Sequence, residues 1–282
     1  MPKIGWVGFR KSQFINGKPN NVTVSREIDH WYVSIQTEQK VAVPKHPLIK
    51  TVGIDLGIRK MVALSDGTHI EPINSFRKAQ KKLAKLQRAL CREVKFSKNW
   101  YKLVKKIQKL HWHIANIRSD YLHKASCAIS KNHAIVCMED LQVSNMCKSA
   151  KGTIEQPGRN VKAKSGLNRA IVDQGWVELT RHLSYKQYWR GGVLALVPPQ
   201  YTSQKCSECG HVDADNWPSQ SVFHCKACGH TENADTNAAK NIRREGLSRL
   251  ACPERGAAHI GHGETVQLGR SLKQEIRSRL VA

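Results

Sequence analysis

Apolar positions change period along the chain, and each change marks an element. From residue 21 to 34, Val22 and Val24 alternate with polar residues, a turn falls near Asp29 and His30, and Trp31, Val33 and Ile35 resume the period of two. Such alternation predicts a β-hairpin. Two strands bury too little to stand alone, so the first 45 residues are expected to lean on the following domain or to close a larger barrel. After Pro44 and Pro47, the segment Thr51 to Gly57 reads as a short apolar strand interrupted by Asp55. Lys60 to Leu64 and the turn Ser65-Asp66-Gly67-Thr68 continue it as a meander. From Ser75 to about Ser130 the spacing becomes helical. Phe76, Ala79, Leu83, Leu86 and Leu90 form one stripe, and Leu103, Ile107, Leu110, Ile114, Ile117 and Tyr121 another, predicting two long helices joined near Phe96 to Asn99.

Ala134 to Met138 is a continuous apolar run that meets Glu139 and Asp140, as expected of a buried parallel strand emerging at a carboxylate. Ser149 to Arg169 reads as a mobile loop and Asn168 to Trp189 as one amphipathic helix, with Ile171, Gly175, Val177, Leu179, Leu183 and Tyr188 on its apolar stripe. Val193 to Val197 is a strand stopped by Pro198 and Pro199. A cysteine module follows over 203–230, then a final helix from Asp235 to Arg244. Beyond Gly246 periodicity is weak and a disordered tail is expected, with a short helix near Leu272 to Leu280. The expected domains are a partial β wedge over 1–48, a core over 49–202 that includes the hairpin of helices, a ribbon over 203–231, the last core helix over 232–246 and the tail over 247–282.

Charge sharpens this outline. Lys and Arg number 46 against 22 Asp and Glu, a formal net charge of +24. Phosphate is the natural counter-charge, with an anionic membrane surface or a solvated basic face as alternatives. The excess is concentrated in the helical hairpin, where 13 Lys or Arg residues lie between Arg77 and Lys109 beside a single acid, Glu93. Charge that one-sided points to backbone contact with a nucleic acid, which positions a duplex without reading its bases. No apolar run approaches the roughly 18 residues of a membrane span, and Met1 to Phe14 lacks the apolar segment of a signal peptide. The reading is a cytoplasmic protein without a membrane partner, nucleoid-associated in a bacterium.

Of nine cysteines, four form two tight pairs, which argues for metal ligation in a reducing compartment. Cys206 and Cys209 are separated from Cys225 and Cys228 by 15 residues, and each pair is followed by Gly-His. Thiolates at that spacing hold one tetrahedral ion from a knuckle turn, and two knuckles make a zinc ribbon with a structural Zn2+. Cys127 and Cys137 lie in apolar surroundings, as core residues do.

Three acids have the placement that two-metal phosphodiester hydrolysis requires: carboxylates that hold Mg2+ or Mn2+ about 4 Å apart. Asp55 interrupts a strand, Glu139 ends another, and Asp235 opens a helix just after the cysteines. Each also fits a plain structural role. Asp55 could cap a turn with Gly57, Glu139 could be an exposed strand end, and Asp235 an ordinary N-cap. Spacing alone leaves both readings open.

The ordered set Val52-Gly53-Ile54-Asp55-Leu56-Gly57, Val136 to Leu141, Cys206 to Gly210, Cys225 to Gly229 and Asn233 to Ile242 resembles the transposon-associated TnpB family, relatives of the type V CRISPR effectors. Leu167 to Trp176 and Tyr185 to Gly191 are similar to that family too, and the likeness covers roughly residues 15 to 245. The resemblance implies an α/β, RNase H-like (RuvC-type) core whose metal-binding acids match Asp55, Glu139 and Asp235. It implies a transposon-derived guide RNA and DNA cleavage beside a short adjacent motif. The family also carries further wedge strands and a helical recognition domain before the segment that matches here, so a protein partner supplying those domains is a further expectation. A non-cleaving RNA- or DNA-binding subunit, and an unguided nuclease for branched DNA, are the competing functions.

Overall fold

The computed structural model describes residues 5–12, 14–40 and 42–251, so the expected helix near Leu272 to Leu280 lies outside the described residues. The chain divides into two compact units, one formed by residues up to 44 with 81–113 and the other by 45–80 with the chain from 114 onward.

In the first unit, β1 (Lys18–Glu27) and β2 (His30–Glu38) form the expected antiparallel hairpin. The turn is taken by Ile28 and Asp29, with Ile28 at a positive φ of 56°. Its tip is held by charge and an aromatic ring from the helices of the same unit. Asp29 pairs with Lys105 at 2.7 Å and Lys109 at 2.9 Å, and those two ammonium groups hold its carboxyl down to about 2. Beside it His30 stacks on Trp112, whose indole N–H donates to Glu27. Two of the hairpin helices' lysines are thereby spent internally; among the described residues the rest of the Arg77 to Lys109 cations form no such ion pair.

The second unit is built on a five-stranded mixed sheet of β3 (Thr51–Leu56), β4 (Val62–Leu64), β5 (His69–Ile70), β6 (Ile135–Glu139) and β7 (Val193–Val197). Its order is β5-β4-β3-β6-β7. The first three strands form an antiparallel meander, whereas β6 pairs parallel to β3 and β7 parallel to β6. A three-strand meander extended on one side by two parallel strands, with helices on both faces, is the RNase H-type arrangement. The helices are α1 (Ser75–Leu90), α2 (Lys98–Asn132), α3 (Val143–Met146), α4 (Val161–Gln174), α5 (Trp176–Arg190) and α6 (Ala234–Ala251).

Strand side chains alternate between the faces, and here the alternation sorts the core. Val52, Ile54 and Leu56 of β3 and Val136 and Met138 of β6 pack with Leu122, Ile129, Leu179 and Leu183 from α2 and α5. The intervening positions Ile135 and Cys137, with Ala195 and Val197, face Ile242 and Leu250 of α6. Burying each such large side chain contributes about 1.5–3 kcal/mol, which fixes the register. A slip of one residue would put Asp55 and Glu139 among the α2 and α5 leucines.

Three expectations need correction. Asn168 to Trp189 is not one helix: Gly175, at a φ of 71°, ends α4 and opens α5. The break shifts the phase, so Val177 and Tyr188 lie exposed at 65% and 58% rather than on a buried stripe. The expected loop over 149–169 is helical from Val161. The last helix continues past Arg244 to Ala251, burying Leu250, which removes the first residues of the expected tail.

Candidate active site

Asp55 is two residues beyond Gly53 on β3, and Glu139 two beyond Cys137 on β6, so both acids share the face that α6 covers. The β3–β6 ladder pairs Gly53 with Cys137 and Ile54 with Met138. Asp55 and Glu139 are the next residues on each strand and leave the sheet side by side.

Two glycines let α6 lie close enough to bring the third acid. A Cβ at Gly53 would overlap the Ala239 carbonyl oxygen and stand 2.8 Å from the Arg243 nitrogen, while one at Gly246 would overlap the Cys137 sulfur. Both contacts run through atoms that cannot swing away, so only glycine permits this approach. The N-cap role foreseen for Asp235 belongs to Asn233, whose Oδ1 accepts from the Asp235 N–H at 3.1 Å and the Thr236 N–H at 3.3 Å. The Asp235 carboxylate is therefore not used as a cap.

The three acids share one electrostatic environment. The Asp55 carboxyl is pushed up to about 7, first by burial and then by the negative charges of Glu139 and Asp235. Glu139 is raised by burial, an effect opposed by the Thr202 hydroxyl, which donates to its Oε1 at 2.6 Å. Like charges gathered at half-buried positions are costly without a counter-ion, and such shifts cluster at functional sites.

Thr202 was not foreseen. It follows the Pro198-Pro199 stop and Tyr201, which holds a left-handed φ of 61°, a conformation that costs a non-glycine residue energy and turns up at functional positions. Nothing in the sequence flags that turn.

Beyond it come two matching knuckles. The Cys206 N–H donates to the His211 carbonyl and the Cys225 N–H to the His230 carbonyl, both at 2.8 Å, and the turns close at Gly210 and Gly229 with φ of 79° and 75°. The sulfurs of Cys206, Cys209, Cys225 and Cys228 all lie within 4.8 Å of one another. Two sulfur pairs stand at 3.8 and 3.5 Å, close to the roughly 3.8 Å edge of a tetrahedron with metal–sulfur bonds of about 2.3 Å. This donor set fits one tetrahedral metal. The expected core placement of Cys137 holds, with burial raising its thiol to about 12; Cys127 is half-buried.

The cysteine module is tied to α6 by side chains at helical spacing. Asn237 accepts from the Ser207 N–H at 2.9 Å and donates to the Lys205 carbonyl at 2.8 Å; Asn241 donates to the carbonyls of Thr202 and Lys205. Arg244 reaches the Ser207 carbonyl one turn further on. One helix thus carries Asp235 and anchors both the first knuckle and Thr202.

Among the described residues no helix is long and apolar enough to cross a membrane. The profile of OrfB_IS605, "Probable transposase", matches residues 34–150, and that of the Cas12f1-like TNB domain matches residues 176–242. A relative from Escherichia coli (strain K12), "Putative RNA-guided DNA endonuclease InsQ", is 58% identical over 98% of this chain and 66% of its own. A "Putative RNA-guided DNA endonuclease" of Streptomyces pristinaespiralis is 34% identical over 89% of this chain and 60% of its own. The chain therefore spans less than two thirds of the length of either relative. A solved Cas12f1–sgRNA–target DNA complex aligns with a TM-score of 0.47 at 22% identity, over 79% of this chain and 55% of that one. With two family models matching successive stretches and a relative 58% identical over nearly the whole of it, the chain belongs to the TnpB/Cas12f-like family of transposon-associated RNA-guided nucleases.

Proposed function

We propose that this chain is the nuclease portion of an RNA-guided DNA endonuclease that hydrolyses phosphodiesters with Asp55, Glu139 and Asp235. What carries the reading is the gathering of the three acids, Asp55 and Glu139 on one sheet face and Asp235 on the helix that covers it, with Asp55 raised to about 7 by its burial and by the other two. A pair of Mg2+ or Mn2+ ions, when bound, supplies the positive charge that activates the attacking water and stabilises the leaving 3′ oxygen. The protein's part is to hold the carboxylates. Asp55 and Glu139 are fixed by the β3–β6 ladder, Asp235 by the Asn233 cap, and the Glu139 oxygen by Thr202. With its carboxyl raised to about 7, Asp55 would have to release its proton to hold a cation at neutral pH.

Zn2+ is the ion we assign to Cys206, Cys209, Cys225 and Cys228, in a structural role: four sulfurs close a tetrahedral site with no open position. The partners are a transposon-derived guide RNA and target DNA, contacted along the backbone by the basic α1–α2 hairpin, and the setting is cytoplasmic. The relatives' names, which specify RNA-guided DNA endonucleases, support the guide and the target. Further domains, in the same or another chain, complete the assembly.

The test is purification of the chain with its RNA, sequencing of that RNA, and a Mg2+-dependent cleavage assay on DNA matching its 3′ end, with the part of the longer relative that this chain does not match supplied. Asp55→Ala should abolish cutting and keep RNA capture. Cutting that survives in this variant would reject the assigned site, and RNA capture with no cutting by the wild type would favour a binding subunit.

A further inference from the structure

A tight turn over residues 201–205 joins the acid site to the cysteine module. Strand β7 ends just before it at Val197, the ladder partner of Glu139, and Cys206 just after it is the first of the four sulfur donors. The turn carries Thr202, whose hydroxyl donates to Glu139 at 2.6 Å. That hydroxyl has a rival acceptor, the Pro199 carbonyl at 3.3 Å, and its single hydrogen serves one of the two. Which one it serves depends on where the Thr202 backbone is held. The turn is strained: Tyr201 keeps a left-handed φ of 61° although it is 66% exposed, and a bulky residue stays in that conformation only where other contacts over-determine it. Inside the turn the Tyr201 carbonyl accepts from the Gln204 and Lys205 N–H groups at 3.1 and 3.0 Å. From outside, one side chain spans it. The Asn241 amide nitrogen donates to the Thr202 carbonyl at 3.0 Å and to the Lys205 carbonyl at 2.6 Å.

Anchoring the cysteine module does not require Asn241. Asn237 already holds the Lys205 carbonyl at 2.8 Å and the Ser207 N–H at 2.9 Å, and Arg244 holds the Ser207 carbonyl. Among the described residues, the bond to the Thr202 carbonyl is what Asn241 alone supplies. It comes at a cost. Asn241 is 5% exposed, and its Oδ1 is buried with no hydrogen-bond partner among the described residues. An apolar side chain would fill the same place without leaving an acceptor unsatisfied, so packing alone does not call for an amide there. Its use is the hold on Thr202.

We propose that Asn241 is a positioning residue for the cleavage reaction: by clamping the Thr202 carbonyl it keeps the Thr202 hydroxyl on Glu139, and so fixes that carboxylate for the cation it holds. The inference rests on the reading of Asp55, Glu139 and Asp235 as the metal-holding acids. It also makes the cysteine module part of the framework of the acid site, because the clamped turn runs directly into Cys206.

The experiment uses the full chain, zinc-loaded and free of nucleic acid, and follows Mn2+ binding by the loss of the free ion's electron paramagnetic resonance signal. Thr202→Val should raise the dissociation constant about 10- to 100-fold, the span for losing a hydrogen bond to a charged acceptor. Asn241→Leu and Asn241→Ser should each raise it about 10-fold or more with zinc content retained. The double variant decides the route. If Asn241 acts through Thr202, adding Asn241→Leu to Thr202→Val should change the constant less than about twofold, because the two changes remove one interaction. Asn237→Ala, which releases Lys205 and Ser207 but not Thr202, should stay within about twofold of the wild type. Unchanged Mn2+ affinity in both Asn241 variants, a loss that adds in full to that of Thr202→Val, an equal loss in Asn237→Ala, or zinc missing from both Asn241 variants would each overturn the positioning role. Asp55→Ala separates this inference from the reading beneath it. Mn2+ binding by that variant as strong as the wild type's would reject the acid site itself, whereas binding lost there but intact in the Asn241 variants would reject only the role of Asn241.

Discussion

Replacing Asp55 by Asn should make the protein more stable at neutral pH when no magnesium is present, although the residue sits at the centre of the proposed chemistry. The Asp55 carboxyl is raised from 3.8 to about 7, with burial the largest cause and Glu139 and Asp235 next. Above about pH 4 the unfolded chain releases a proton that the folded protein still holds. Stability therefore falls as pH rises, from the unfolded value near 4 up to the folded value near 7. A rise of roughly three pH units at about 1.4 kcal/mol each sets a ceiling of about 4 kcal/mol. Asp55 is half-buried rather than sealed, and water screens part of that penalty, so about 1–3 kcal/mol is expected. Asparagine keeps the shape and carries no charge. Urea unfolding without added divalent ions, with the cysteine site left loaded, should show the variant and the wild type close together at pH 4.5 and separated by about 1–3 kcal/mol at pH 8. Added Mg2+ should then stabilise the wild type and not Asp55→Asn, since binding to the folded state alone raises stability by mass action. A gap that is the same at both pH values, or absent at pH 8, would show that Asp55 does not sit in the negative field described.

Two further outcomes follow from the same contacts. Thr202→Val deletes the hydroxyl that donates to Glu139, a hydrogen bond to a charged acceptor worth about 1.5–3 kcal/mol. Half-maximal cleavage should need roughly 10- to 100-fold more Mg2+, the acid limb of the pH–rate profile should move to higher pH, and Thr202→Ser should restore both. Cys225→Ser should abolish stoichiometric zinc, measured by elemental analysis, and open residues 203–230 to proteolysis, because the ion supplies most of that segment's folding energy.

The strands and acids were legible because an apolar run broken by a carboxylate is a rare pattern, and Asp55 and Glu139 each stand in one. Their meeting was not legible. It depends on which face each acid takes, and that is set by the parallel register of Gly53 with Cys137, a long-range pairing that no local period reports. The single helix expected over residues 168–189 failed at Gly175 for a related reason. One glycine in a helix costs only about 1 kcal/mol, too little to predict a break, but the break lets Trp176, Leu179 and Leu183 reach the core. Asn237 and Asn241 stand four residues apart directly after the cysteine module, and that spacing was a readable signal. Their targets are backbone carbonyls of a distant turn, which a sequence does not name.

The anchoring of the cysteine module to α6 also dictates where this protein tolerates changes in length. Asn216 is buried and ties the knuckles together, donating to Gln204 and accepting from Lys226, whereas residues 217–221 lie in water. Extra residues inserted at that tip would lengthen an exposed loop and leave every carboxylate where it was. The stretch from Cys228 to Asp235 has no such latitude. It is pinned by a sulfur ligand at one end and by the Asn237 and Asn241 contacts just past the other, and one added residue there would turn the start of the helix by about 100°, carrying Asp235 away from its two companions.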